Sequence, residues 1–347
     1  MNDSQPSAPS ASPLARTAEP CNERPLVSVL LIAFNQEKVV AEAVRGILAQ
    51  TWSPLEIILS DDASSDRTFA EMEAAVSGYS GAHRVIVRRN DANQGISAHL
   101  SQLAAMAQGE LLFVAAGDDF SLPTRCERVV EYWLAHDRRP DLIATDLADI
   151  DEAGNVGEHI APTELDRYRN LEDWLSERPW LIGAAHAWSR RLFERFGPML
   201  PGAAAEDQIM VLRAILSGGA LSLREPLVRY RRGGISRKAR YRSVQEQVAR
   251  MQRNNRYELA ELVQLQRDAD TAGLGARMRA ALAPALARKQ FVRAMFEATG
   301  TGERLALLLR SNGVKLGLRV RMYLYAACPA VYAPGIWLKR LTRKNGR

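Results

Sequence analysis

Apolar positions in this chain fall into short solid runs separated by stretches of helical spacing. Residues 26–33 (LVSVLLIA) form an almost wholly apolar run, which suits a strand buried on both faces. Val40, Val44, Ile47 and Leu48 then recur at helical spacing across residues 37–50. The unit repeats. Runs at 55–59, 85–87, 111–115 and 141–145 read as further strands, with helices predicted from about Arg67, over 96–107 and over 123–136. Ser65 is placed to cap the first of these helices. Strands alternating with helices predict parallel βαβ units in a doubly wound α/β sheet. Ligands of such sheets sit at the carboxyl ends of the strands.

After Gly183 the pattern loosens, with helices expected near 189–196 and 206–216, and a late strand over 226–231. The acidic stretch 149–155 (DIDEAGN) reads as a hairpin turn. From Ser243 onward the sequence is helical, over about 243–268, 275–297 and 303–312. Residues 1–24, rich in Ser, Pro and Ala, have no hydrophobic period and read as a flexible leader. The expected organisation is therefore a leader at 1–24, an α/β domain at 25–240 and a basic helical region at 241–347.

Charge sharpens that division. Residues 1–223 carry 19 Lys and Arg against 32 Asp and Glu, whereas residues 224–347 carry 27 against 8. A basic C-terminal third on an acidic body points to an anionic partner. With no aromatic-basic RNA motif and no zinc spacing, nucleic acid is the weakest choice and an anionic membrane surface the strongest. Cys21, Cys126 and Cys328 are too scattered for a disulfide framework or a CxxC site, so a reducing compartment is expected. The N-terminal part holds no run of 18 apolar residues, so neither a signal peptide nor a leading anchor is expected.

Candidate chemistry lies at the strand ends. The second strand finishes in Asp61-Asp62 and the fourth in Ala116-Gly117-Asp118-Asp119. Two carboxylate pairs at one sheet edge raise each other's pKa, and a divalent cation with hard oxygen ligands, Mg2+ or Mn2+, removes that cost. Asp66 is as readily a turn-shaping cap as a ligand. No GxGxxG follows the first strand and no GxxxxGK[ST] occurs, which excludes a dinucleotide dehydrogenase and a P-loop enzyme.

Residues 25–68 (PLVSVLLIAFNQEKVVAEAVRGILAQTWSPLEIILSDDASSDRT) resemble the opening of family 2 glycosyltransferases, which have the GT-A fold. Residues 109–123 (GELLFVAAGDDFSLP) resemble their metal-binding segment, and Ala205-Glu206-Asp207-Gln208 resembles the acidic pair that supplies their catalytic base. The resemblance covers about residues 25–235. It implies a Rossmann-like, mostly parallel sheet with a C-terminal helical extension, and an inverting transfer from a nucleotide-diphosphate sugar. Ala33 and Asn35 would line the nucleotide pocket, with Glu37 at its rim, and Asp62 with Asp61 would meet base and ribose. Asp118, assisted by Asp119, would hold the metal that bridges the diphosphate. Asp207 would take the proton from the acceptor hydroxyl. Two departures stand out: Ala116 occupies the first acidic position of the DxD motif, and no His follows Tyr230-Arg231. Arg231 or Arg232 would then supply the positive charge near the diphosphate. Trp180, His186 and Trp188 fall where the family builds its acceptor pocket and are equally suited to packing. His99 and His136 read as helix-surface residues.

The resemblance implies transfer of a hexose or deoxyhexose, rhamnose for example, onto a glycan or lipid-linked glycan of a bacterial-type surface polysaccharide such as lipopolysaccharide O-antigen. A non-catalytic GT-A scaffold is the alternative, motivated by Ala116; a sugar nucleotidylyltransferase would want a Gly-rich basic loop that AFNQEK lacks. Residues 322–338 (MYLYAACPAVYAPGIWL) are free of charge but interrupted by Pro329, Pro334 and Gly335, and as a helix span about 25 Å, short of a bilayer core. Their tyrosines, Trp337 and the following cations suit an interface instead. The expected location is cytoplasmic, peripheral on the inner face of the cell membrane.

Overall fold

The computed structural model describes residues 24–151, 154–231, 243–311 and 313–332. The leader up to residue 23, the 232–242 stretch with Arg232, and residues 333–347 with Trp337 lie outside the described residues.

The apolar runs become strands: β1 (Val27–Ala33), β2 (Leu55–Asp61), β3 (Arg84–Arg89) and β4 (Leu111–Ala116). They are joined by α1 (Val40–Leu48), α2 (Thr68–Val76) and α3 (Ile96–Met106), and pair in parallel in the order β3-β2-β1-β4. Beyond β4 the sheet departs from the doubly wound expectation. After β5 (Phe120–Ser121), α4 (Arg125–Ala135), β6 (Leu142–Ile150), β7 (Val156–Ile160) and α5 (Leu171–Ser176), a four-residue strand, β8 (His186–Ser189), slots antiparallel between β4 and β6. Then α6 (Arg190–Phe196) and α7 (Glu206–Ile215) lead to β9 (Ala220–Arg231), parallel to β6 and antiparallel to β5. The sheet is mixed, with order β3-β2-β1-β4-β8-β6-β9-β5 and β7 on β6. β6 and β7 form the hairpin expected around residues 149–155.

Alternation along β1 divides the core. Leu30 faces one layer, where α3 and α7 pack, while Val29 and Leu31 face the other, under α1 and α4. The C-terminal helices α8 (Val244–Thr271) and α9 (Gly275–Glu297) join the first layer through Leu262, Leu265, Ala269, Met278 and Leu282. A buried bidentate pair fixes α8 to α7: Arg213 donates to Asp268 at 2.8 and 3.1 Å, and both are fully buried. Gln264 extends the clamp, donating to Asp268 at 2.7 Å and accepting from the Leu200 N–H at 2.7 Å. α10 (Thr301–Arg310) and α11 (Leu316–Ala327) pack on α9 around a separate small core of Phe291, Met295, Val314 and Met322. Met322 is thus a packed residue, and Tyr325 stacks on Tyr332 at 3.9 Å between centroids. Among the described residues no helix is long and apolar enough to cross a membrane.

Candidate active site

The loops after β1 and β2 are stapled to each other at the carboxyl edge of the sheet. Asn35, in the left-handed region (φ 53°) that Asn tolerates, donates its N–H to Ser64 Oγ at 2.8 Å and accepts the Ser65 N–H at 2.9 Å. Gln36 N–H meets Thr68 Oγ1 at 2.6 Å, Glu37 N–H meets Asp66 at 3.2 Å, and Glu37 accepts the Arg67 N–H at 3.1 Å. Asp66 also accepts the Thr68 N–H at 3.0 Å, so Asp66, and not Ser65, opens α2. Ala33 is buried beneath this staple. Gly117 allows the close approach of β4: a Cβ there would stand 2.8 Å from that of Ala33 and 2.5 Å from Gln36 Oε1.

Asp61 and Asp62 are consumed by the loop they anchor. Asp61 is fully buried, accepts the N–H and hydroxyl of Ser64, and pairs with Arg89 at 3.2 Å. Its oxygens are thus engaged within the loop that Asp61 holds in shape. Asp62 accepts from Asn90 Nδ2 at 2.7 Å and from the Gln94 and Gly95 N–H groups at 2.9 Å each. His99, expected on a helix surface, is instead buried with Ser60 Oγ at 2.6 Å, and burial drives its pKa down to about 4. His136 sits at the end of α4, bonded to the Tyr132 carbonyl at 2.8 Å.

Asp118 and Asp119 turn off the end of β4. Asp119 is buried and accepts the Arg231 N–H at 2.9 Å; burial and neighbouring Asp118 push its carboxyl up to about 8. Asp118 is half-buried and raised by burial, against which Gln36 and Arg231 act. Among the described residues no group of three His, Cys, Asp or Glu side chains surrounds a common point. The hard oxygens fit Mg2+ or Mn2+, and a cation would relieve two carboxyls held above their usual range. Among the described residues Asp118 and one oxygen of Asp119 would hold such an ion, with phosphate and water completing its shell.

Arg231 differs from the expectation. Its guanidinium already reaches Glu42 at 2.9 Å, the Asp151 carbonyl at 2.9 Å and the Asp118 carbonyl at 3.3 Å. It braces the Asp118-Asp119 turn against α1 and β9, and is not a cation free to meet a diphosphate. The histidine-free stretch after it lies outside the described residues.

The second acidic pair opens α7. β8 runs antiparallel to β4 with Phe113 opposite Ala187, so the 3-10 turn Gly183–Ala185 that precedes β8 stands at the carboxyl end of β4. Glu206 and Asp207 pack against that turn: a Cβ on Gly183 would lie 2.6 Å from Glu206 Oε1 and 3.5 Å from Asp207 Cβ. Burial, with Asp207 beside it, raises Glu206 to about 8. Asp207 is also raised, by burial first and then by Glu261 of α8, against the Gln208 N–H at 2.7 Å. Glu261 in turn holds Arg178 at 2.9 Å. Trp180 is exposed on the loop beside α7, which Gln208 ties down through the Pro179 carbonyl at 2.8 Å. His186 and Trp188 are buried strand residues, and burial takes His186 down to about 3.

One organising residue escaped the sequence reading. Arg125, fully buried at the start of α4, donates to the Val114 carbonyl at 2.9 Å and the Ala184 carbonyl at 2.8 Å, with its charge near Asp119. It joins the strand that carries Asp118 to the turn that supports Asp207. An arginine in an otherwise apolar helical stripe was the available clue.

Comparisons with known proteins agree with this geometry. Residues 28–191 match the family described as "Glycosyl transferase family 2". The chain is 33% identical over 142 residues to EpsE of Bacillus subtilis, covering 41% of this chain and 50% of EpsE. It is 24% identical over 167 residues to the glucosyl-dolichyl phosphate glucuronosyltransferase of Haloferax volcanii, 45% of this chain and 44% of that protein. The chain thus spans about half the length, or less, of these curated relatives. The crystal structure of residues 1–349 of TarS from S. aureus, in complex with UDP-GlcNAc, is similar over 86% of this chain and 89% of that one, with a TM-score of 0.52 at 15% identity. Residues 28–191, somewhat under half of the chain, are thus similar to family 2 glycosyltransferases, in a GT-A fold with a helical C-terminal region.

Proposed function

We propose that this protein moves a hexose or deoxyhexose from a nucleotide-diphosphate sugar to a hydroxyl of a glycan or lipid-linked glycan, with inversion. The observation that carries the proposal is the pair Glu206–Asp207, short of hydrogen-bond donors and raised in pKa beside the same sheet edge that ends in Asp118. The donor's nucleotide lies against the Ala33–Glu37 and Asp62 loops, with its diphosphate at Asp118. A divalent ion bound there would neutralise the leaving diphosphate. Asp207 takes the acceptor hydroxyl proton as its oxygen bonds to the anomeric carbon and the bond to the diphosphate oxygen breaks on the opposite face. Glu206 shares the charge of its neighbour, and Trp180 offers a face for the acceptor sugar.

The nucleotide-sugar ligand of TarS supports a donor of this class, and the name of the Haloferax relative supports a lipid-linked acceptor. The basic C-terminal third supports peripheral attachment to an anionic membrane surface, with the exposed Leu305, Leu309, Leu316 and Val320 among its cations. Ala116 favours a second reading, a GT-A scaffold that binds without turnover. A panel of sugar nucleotides, screened by thermal shift with and without Mn2+ and then offered with glycan and lipid-linked acceptors, separates the two. Transfer of one sugar supports the enzyme; donor binding with no transfer or hydrolysis across the panel supports the scaffold.

A further inference from the structure

The face that α8 turns to α7 continues past the point where α7 begins. Glu261 acts on Asp207 near the start of α7, and Asp268 holds Arg213 near its end, so the two helices run side by side in the same direction. Glu261, Gln264 and Asp268 recur at the three- and four-residue steps of one helix face. Tyr257 is the preceding member of that series, about 6 Å further along the axis from Glu261. The loop before α7 climbs the same face: Leu200 donates to Gln264 at 2.7 Å, and a Cβ on Gly202 would meet that of Ala260 at 4.0 Å. It then turns back to Glu206. Tyr257 stands beyond that turning point, and the small side chains of Gly202, Ala203, Ala204 and Ala205 leave its ring 40% exposed.

A second aromatic ring reaches the same side of Asp207. Arg178 pairs with Glu261 at 2.9 Å and Gln208 holds the Pro179 carbonyl at 2.8 Å, so the segment leading into Trp180 is tied to α8 and to α7. Thr163 fixes Trp180 itself, its hydroxyl accepting the Trp180 N–H at 2.9 Å and its N–H donating to the Trp180 carbonyl at 3.0 Å. Trp180 is 57% exposed. Two aromatic rings on anchored backbone thus border the base, one carried by the loop and one by α8. A sugar ring suits such faces, because its C–H face covers apolar area while its hydroxyls stay at the wet edge. We propose that Tyr257 forms a second acceptor subsite, stacking on the sugar next to the one that lies on Trp180 and loses its proton to Asp207, so that the acceptor is a disaccharide or a longer glycan. The inference deepens the proposed function and rests on it for the role of Asp207. Tyr257 lies outside residues 28–191, so this length preference belongs to the chain's C-terminal helices and not to the segment shared with family 2.

Saturation-transfer NMR on the full chain tests this without donor or turnover. The probes are methyl glycosides of glucose, galactose and mannose, with methyl cellobioside, methyl lactoside and methyl mannobioside as their extended counterparts. At least one disaccharide probe is expected to bind about fivefold or more tightly than its monosaccharide, the scale of one aromatic contact. Tyr257→Ala should abolish that ratio while monosaccharide affinity, melting temperature and the donor-induced thermal shift stay as in wild type. Tyr257→Phe, which keeps the ring, should retain the ratio. A folded Tyr257→Ala variant with the wild-type ratio overturns the subsite, and a ratio lost in Tyr257→Phe as well overturns the stacking contact. Wild type that binds the short and long probes alike, or binds none of them, also overturns it. Failure of the transferase reading would appear in the donor panel, whereas this ratio is read from binding alone.

Discussion

The loop after β2 and the start of α7 each hold two adjacent acids, and they use them in opposite ways. Asp61 and Asp62 are surrounded by donors: three N–H groups, the Ser64 hydroxyl, the Asn90 amide and Arg89. Glu206 and Asp207 receive from the protein the N–H groups of their own helix start, stand against Gly183, and are raised by burial first, then Glu206 by Asp207 and Asp207 by Glu261. Adjacent acids thus become a buried strut in one place and, in the half-buried Glu206–Asp207 pair, acceptors with few donors in the other. Donor supply, and not acidity in the sequence, distinguishes structure from chemistry here. Asp118 and Asp119 fall between, with Asp119 braced by Arg231 and Asp118 left for a cation or ligand.

That contrast can be broken by substitution. The largest effect is expected from Asp118→Ala, which should lower turnover by about 100-fold or more and weaken nucleotide-diphosphate binding while the melting curve stays intact. Full activity of the variant in chelator would remove Asp118 from the site. Asp62→Ala should act the other way, lowering stability by about 2 kcal/mol in denaturant titration, because the buried Asn90 amide and the part-buried Gln94 and Gly95 N–H groups lose their acceptor. Wild-type stability would show that water can replace the strut.

A pH series sharpens the comparison further. Glu206 is raised from its ordinary 4.5 to about 8, so the folded state favours its protonated form. Its contribution to stability is present at low pH and is lost as pH rises through about 8. The unliganded wild type should therefore lose melting temperature relative to Glu206→Gln as pH climbs from 5 to 8, and parallel curves would contradict the assignment. The smallest effect is reserved for Glu261→Gln. Removing a carboxylate that raises Asp207 should move the acidic limb of the pH–rate profile to lower pH. A limb that stays in place or moves upward would exclude Glu261 as a neighbour that tunes the base.

Much of this was legible from residue pattern. The apolar runs at residues 26–33, 55–59 and 111–115 became β1, β2 and β4, and both acidic pairs lie where strand ends and a helix start put them. Three features were not legible, each for a physical reason. β8 is four residues long, too short for a periodic pattern, so the antiparallel insertion that makes the sheet mixed was missed. α3 buries Ser97, His99 and Ser101; His99 read as surface because its partner, Ser60, lies on a separate strand, and Ser101 is partnered by the Ser97 carbonyl and the Met199 N–H. Arg231 read as a free cation because its ion-pair partner, Glu42, lies 189 positions away in the chain.

The most direct test of the account is a paired measurement on Asp207→Asn: donor affinity by calorimetry and sugar transfer by product analysis, under the same conditions as wild type. Affinity is expected to persist while transfer falls by about 100-fold or more, the scale of losing a general base. Transfer at the wild-type rate by this variant would contradict the assignment of Asp207 as the group that takes the acceptor proton.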